Sequence, residues 1–332
     1  MRKCYLFVSF TNAQNSTILD MQHLLNNSIF VITNADYIPF KTDINYLCLK
    51  KVITLFDVVN ELITRNSKNT LSDFVKKINS KYDEIEIIIP HFFNILSNHI
   101  INNSQAIFPN KQTTYSLYPD GLLSYTSYNQ KAYSKGNIIR YLLAKNIGFN
   151  YKIFNGSISD PFKNIETIYS YVPELTEKYS ADTIVKIPYA TGTAKGNNIL
   201  IVGHIEYSKL DKTKLEEVIN TITEIITKSD TYGSIYYKPH PYFKDNADSI
   251  YNILSEKLPI SYIKSKEPVE NLFDSHEINK VISFYSTALV SLKMKYGISV
   301  DCYSINMSWF TSIKIATDLE KIFKKFNIKV YK

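Results

Sequence analysis

The chain has 332 residues, 45% of them apolar and 21% charged, with a formal net charge of +7. This length suggests two domains of roughly 150 residues each, and the composition excludes a disordered chain. The positive balance favours acidic ligands or an anionic membrane surface, but it is too diffuse for nucleic acid, and no zinc-finger, basic-zipper or RNA-binding aromatic pattern is present. The apolar pattern then predicts a strand over 4–10, a polar loop TNAQNS, a helix over 17–25 and a strand over 28–33. This is the β-loop-α-β opening of a doubly wound sheet. Next come a strand at 52–55, a helix over 71–79, a strand over 84–89 that ends at Pro90-His91, and a helix over 92–101. A short strand at 116–118 ends in Pro119-Asp120-Gly121, followed by a helix over 135–145 and a strand over 151–154.

Residues 155–197 break this pattern with Gly156, Asp160-Pro161, Pro173, Pro188 and Gly192, and TGTAKGNN at 191–198 reads as a linker. ILIVGH at 199–204 reopens the pattern. A helix over 212–227 carries Leu215, Val218, Ile219, Ile222, Ile225 and Ile226 at helical spacing. The strand SIYYK, a helix over 247–255, the strands ISYIK and KVISF, a helix over 287–295, a strand over 300–304 and a helix over 317–326 complete the chain. The expectation is an α/β protein with two Rossmann-like domains, 1–190 and 191–332, facing each other across a cleft. The last helix would pack back on the first domain. No GxGxxG fingerprint and no P-loop occur, which disfavours a dinucleotide oxidoreductase or a nucleotide triphosphatase.

The cysteines Cys4, Cys48 and Cys302 lie far apart with no CxxC pair, as reduced structural thiols of a cytoplasmic protein would. The apolar run in MRKCYLFVSF is short and meets polar residues without a small-residue cleavage pattern, so it reads as a strand and not as a signal peptide. No stretch approaches the roughly 18–20 apolar residues of a membrane span. The lysine-rich C-terminal segment, with Lys314, Lys321, Lys324 and Lys325 among Trp309, Phe310, Phe323 and Phe326, reads first as a solvated helix face. It would also suit peripheral contact with the inner face of a membrane.

Four short constellations carry candidate chemistry. YGSIYYKPHPY at 232–242 is a strand stopped by Pro239 and Pro241, which stiffen a loop presenting His240 beside Lys238. At a strand's carboxyl end, that loop faces the ligand crevice of an open α/β sheet and suits an anionic ligand. Asp120 before Gly121 is either a turn former or a carboxylate able to accept a proton from an attacking hydroxyl. Ser286 and Thr287, between a strand and an apolar helix, are helix caps or an anion site made of hydroxyls and free backbone N–H groups, with Ser283 nearby. Glu270, in Pro268-Val269-Glu270, is a first-turn helix residue or an acceptor for two ribose hydroxyls. Asn12 to Gln14 after the first strand and His91 after Pro90 are candidates for the substrate side. Gly203 could let backbone approach a nucleotide.

In their order and spacing, Pro119-Asp120-Gly121, His240-Pro241 and Ser286-Thr287 resemble the motifs of the bacterial sialyltransferases: an acidic-acidic-Gly triplet, His-Pro and Ser-Ser/Thr. These enzymes include the lipooligosaccharide and capsule transferases, the polysialyltransferases and related O-antigen enzymes. SFTNAQ is similar to that family's first strand and Thr-Pro-x-Gln loop, with Asn12 in place of the proline. Pro119 stands where the family has its first acidic residue. The resemblance implies a GT-B fold with CMP-sialic acid held by the C-terminal half, and inverting, metal-independent transfer to a sugar hydroxyl of a surface glycan that could be lipid-linked. In it Asp120 would be the base, and His240, Ser286 and Thr287 would meet the charge on departing CMP. No DxD metal motif occurs, and no cofactor beyond the donor substrate is expected. The rival expectations are a GT-B transferase for another nucleotide-linked acidic sugar and a non-catalytic nucleotide- or glycan-binding module.

Overall fold

A computed structural model describes residues 1–35, 38–41, 43–49, 66–126, 129–130, 134–146, 148–153, 156–157, 164–176, 181–188, 192–204, 210–229, 231–240, 249–265, 267–306, 309 and 313–332. The chain divides into two compact units, Met1–Pro188 and Tyr189–Lys332, each built on one parallel sheet.

The first unit contains β1 (Lys3–Ser9), β2 (Ser28–Thr33), β3 (Asn45–Cys48), β4 (Glu84–Ile89), β5 (Gln112–Leu117), β8 (Thr167–Ser170) and β9 (Thr183–Lys186), in the order β3-β2-β1-β4-β5-β8-β9. A short antiparallel pair, β6 (Asn129–Gln130) and β7 (Gly156–Ser157), stands outside that sheet. The central strands read as nearly continuous apolar runs because both faces are covered. Along β1, Cys4, Leu6 and Val8 join one core and Phe7 joins the other. Among the described residues the helices of eight residues or more are α1 (Asn12–Met21), α2 (Asn66–Asn79), α3 (Ile95–Asn102) and α4 (Lys135–Asn146). Sheet order reverses between β1 and β4, so the loops after these strands flank a topological switch point, where α/β sheets bind ligands.

Several elements depart from the sequence reading. TNAQNS is not a loop: α1 begins at Asn12, because Thr11 and Gln14 form a reciprocal capping box that starts the helix early. The segment 151–153 is not a strand. Asn98 reaches across to it, so the Lys152 N–H donates to the Asn98 side-chain oxygen at 2.7 Å instead of to a neighbouring strand. β5 starts at Gln112, extended by the threonines of QTTYSL. β8 and β9 lie inside the stretch read as irregular, and β3 is a largely exposed strand with little apolar signal. The strand expected at 52–55 lies outside the described residues.

The second unit contains β10 (Asn198–Val202), β11 (Ile235–Lys238), β12 (Ile260–Tyr262), β13 (Ile278–Ser283), β14 (Asp301–Ile305) and β15 (Lys329–Tyr331). Their order is β12-β11-β10-β13-β14-β15, all parallel. This is the 3-2-1-4-5-6 Rossmann order, with its switch point between β10 and β13. Among the described residues its helices of eight residues or more are α5 (Lys212–Thr227), α6 (Ser249–Lys257), α7 (Thr287–Tyr296) and α8 (Ile313–Lys325). Asp211 caps α5 by accepting the Lys214 N–H at 2.9 Å, and the helix buries the six apolar residues that its spacing marks. Each such side chain is worth about 1.5–3 kcal/mol of burial.

The last helix, α8, packs within this second unit. It buries Leu319, Ile322 and Phe323, sets Phe323 beside Tyr285, and leads into β15. Lys321, Lys324 and Lys325 stay exposed, so the basic face of α8 is the solvated side of a helix whose apolar side is already used. The two units are Rossmann-like α/β domains, the pair from which a GT-B chain is built. Among the described residues no helix is long and apolar enough to cross a membrane.

Candidate functional site

In the first unit, three strand ends bring Gln14, His91 and Asp120 together. Thr11 follows β1 and accepts the Gln14 N–H on its hydroxyl at 3.2 Å. Gln14 Oε1 in turn accepts the N–H of Phe10 at 2.6 Å and of Thr11 at 3.3 Å. With its oxygen so engaged, the buried Gln14 amide has its NH2 left for Asp120, and Nε2 donates to Asp120 Oδ1.

His91 follows β4, and its Nε2 lies 3.1 Å from Asp120 Oδ2. The ring's Nδ1 accepts the Phe93 N–H at 3.1 Å, so in neutral imidazole the proton sits on Nε2 and is donated to Asp120. Phe10 and Phe93 pack against the ring and fix its plane. Asp120 follows β5. Its N–H donates to Ser124 Oγ at 2.7 Å, and Gly121 has φ 74°, a left-handed conformation that favours glycine. Tyr118, two residues earlier, donates its buried hydroxyl to the Val8 carbonyl at 2.8 Å, which ties the end of β5 to β1. Two N–H donors thus converge on one carboxylate at the switch point, and an ionised carboxylate is the acceptor they fit.

Asn12 sits half-buried in the first turn of α1, with its carbonyl accepting from Ser16 Oγ at 3.3 Å. The sequence reading missed Ser124 and Thr11. Thr11 had a legible signal, since Thr-Asn-Ala-Gln has the T-x-x-Q form of a capping box.

In the second unit, Gly203 and His204 follow β10, His240 follows β11, and residues 284–287 follow β13, all at the switch-point edge. A Cβ on Gly203 would lie 2.6 Å from the Tyr237 hydroxyl and 3.1 Å from the His240 nitrogen. Glycine is therefore needed here so that the Pro239-His240 loop can close over β10, with the Gly203 N–H donating to the Lys238 carbonyl at 2.8 Å. The rings of His204 and His240 are 6.2 Å apart, and His204 meets Phe284 edge-on at 5.7 Å. Pro241 lies outside the described residues.

Ser286 caps α7 by accepting the Ala288 N–H at 3.2 Å, with Thr287 as the first helical residue. Residues 286–288 are half-buried, so the positive end of this ten-residue helix is not sealed. Tyr285, at φ 37°, makes the tight passage from strand to helix. Ser283 does not join the exposed edge: it is fully buried and donates to the Val202 carbonyl at 3.0 Å, tying β13 to β10.

Lys238 is likewise turned inward. It is 3% exposed and donates to the Ser265 carbonyl at 3.0 Å. Burial lowers its pKa, against the opposing pull of Glu270 and Glu267. Glu270 lies in a 3-10 helix, Val269–Asn271, and its carboxylate accepts from Ser291 Oγ on α7.

The described fold is similar to three solved structures. UDP-GlcNAc 2-epimerase of Methanocaldococcus jannaschii matches with 12% identity over 97% of this chain and 92% of that one, at a TM-score of 0.48. The calicheamicin glycosyltransferase CalG4 matches with 8% identity over 100% and 86%, at 0.46. MurG of Acinetobacter baumannii matches with 8% identity over 99% and 86%, at 0.43. No curated protein matches the sequence. The model of the alpha-2,8-polysialyltransferase family matches residues 5–301, and the chain belongs to that family of glycosyltransferases.

Proposed function

We propose that the protein is an inverting sialyltransferase that moves sialic acid from CMP-sialic acid to a sugar hydroxyl of a bacterial surface glycan. The observation that carries this reading is the Gln14–Asp120–His91 arrangement, a carboxylate held by two N–H donors at the carboxyl edge of a parallel sheet. Asp120 takes the proton of the acceptor hydroxyl. The acceptor oxygen forms its bond to the anomeric carbon as the bond from that carbon to the CMP phosphate oxygen breaks. His91 is not the base: its Nε2 carries the proton it donates to Asp120, and its Nδ1 already accepts from Phe93. Gln14 and His91 hold the carboxylate in one orientation, as a positioned base requires.

The second unit meets the leaving group. CMP departs as a phosphate anion, and its growing charge is matched by the N-terminal N–H groups of α7, the Thr287 hydroxyl and His240. Glu270, held by Ser291, accepts from the ribose hydroxyls. Gly203 and Lys238 shape and support the loop that carries His240. This reading invokes no metal: hydrogen bonds from N–H and O–H donors stabilise the developing charge.

The test is thermal melting with CMP, UDP, GDP and ADP in turn, followed by assay of CMP release from CMP-sialic acid with galactoside and sialoside acceptors. CMP alone should raise the melting temperature, by linkage of binding to folding, and acceptor should then trigger CMP release. Stabilisation by UDP and not by CMP would overturn the donor assignment. CMP binding without transfer to any acceptor would leave a binding module.

A further inference from the structure

Helix α4 is inside out. Its sequence, KGNIIRYLLAKN, turns Asn137 inward, 0% exposed, where its side-chain oxygen accepts the Tyr151 hydroxyl at 2.9 Å. Arg140 also sits on that side, interacting with Tyr151. The outer face carries Ile138, Ile139, Tyr141 and Leu142, exposed by 41%, 55%, 39% and 51%. Among the described residues eight large hydrophobic side chains are exposed, and four of them are on this one helix. Scattered apolar residues on a surface need no explanation, but a contiguous stripe marks a contact.

At 100° per residue, Ile138, Ile139, Tyr141 and Leu142 fall on one side of the helix, and the exposed Lys135 and Lys145 lie at the two ends of the same stripe. The helix contains no acidic residue. An apolar strip bracketed by cations complements an anionic lipid surface, with the strip at the boundary of headgroups and acyl chains and the ammonium groups on lipid phosphates. A second copy of the chain fits less well. A two-fold pairing of this face would set Lys135 of one copy near Lys145 of the other, with no carboxylate on either helix to offset them.

We propose that α4 is the membrane-contact element of this protein and lies in the plane of an anionic lipid surface. This rests on the helix and not on the transferase reading, and its test uses neither donor nor acceptor. The full chain is sedimented with sucrose-loaded vesicles, either of phosphatidylcholine alone or of phosphatidylcholine with phosphatidylglycerol. Pelleting is expected with the second and not with the first. The double variant Ile139→Glu/Leu142→Glu should weaken partitioning by about tenfold or more at an unchanged melting temperature, since both residues are exposed. Lys135→Gln/Lys145→Gln should weaken it by about fivefold for each lysine. A chain that ignores anionic vesicles overturns the proposal, as does a glutamate variant that partitions like wild type. It also falls if the glutamate substitutions split a dimer in sedimentation equilibrium and leave vesicle binding intact, for then a second copy covers the face.

Discussion

His91 Nε2 stands 3.1 Å from Asp120 Oδ2, and the Phe93 N–H on the other ring nitrogen decides which of the two carries the proton. In the proposed reaction, His91 is therefore a positioning residue that orients Asp120. His91→Phe keeps a ring between Phe10 and Phe93 and deletes the donor to Asp120, together with the acceptor of the Phe93 N–H. A hydrogen bond to a charged group is worth about 1.5–3 kcal/mol, so kcat should fall by roughly 10- to 100-fold while CMP affinity holds. Steady-state kinetics beside calorimetry with CMP check this, and an unchanged kcat would contradict it.

Gln14 offers a test with a sign. Glutamate at this position keeps the capping box, because its carboxylate still accepts the N–H of Phe10 and Thr11. The NH2 that faces Asp120 becomes an oxygen, and two carboxylates then share one place. The pair holds a proton to higher pH than Asp120 alone, because a like charge disfavours ionisation. The base must be ionised to act, so the acid limb of kcat/KM for Gln14→Glu should move to higher pH, with rate recovered as pH rises. A pH–rate profile superimposable on that of wild type would remove Gln14 from contact with the base.

Much of the fold was legible because parallel sheets buried on both faces leave apolar runs: β1, β2, β4, β10 and β13 were all readable, as was α5 from its six spaced apolar residues. β3 and β9 were not, since exposed strands such as NYLC and TIVK carry little burial signal. The site was legible as residue types at strand ends. Its wiring was not, because Gln14 and Asp120 are 106 residues apart and only the sheet order brings them together. Ser283 and Lys238 show the reverse case. Both have the right chemistry for a phosphate, but the pleat turns both inward onto the Val202 and Ser265 carbonyls.

Gly203 separates a packing role from a ligand role. Gly203→Ala drives a methyl against the Tyr237 hydroxyl, and overpacking of this kind costs about 1–3 kcal/mol. The melting temperature should fall, and Tyr237→Phe in the same chain should recover part of the loss by removing that oxygen. A Gly203→Ala variant that melts like wild type would show that the Pro239-His240 loop does not close on β10 as described.

The three thiols should differ in reactivity. Burial pushes the Cys4 and Cys302 thiols up to about 12, whereas Cys48 is exposed. Thiolate is the reactive form, so near neutral pH the native chain should react quickly with Ellman's reagent at one cysteine and, once denatured, at three. Rapid reaction of all three in the native chain would contradict the two cores around β1 and β14.

The central claim is that Asp120 removes the acceptor proton, and Asp120→Asn tests it most directly. Asparagine has the same shape and supports the same turn before Gly121, but it has no basic carboxylate. Transfer at saturating acceptor, CMP affinity and melting temperature are measured on one preparation. Transfer should fall by roughly 10²–10⁴-fold, the usual worth of a positioned base. CMP affinity should hold, and the melting temperature should drop by no more than a few degrees, because one of the two N–H donors loses its acceptor. A variant that keeps more than about a tenth of wild-type transfer would contradict the account and leave Asp120 as a turn residue.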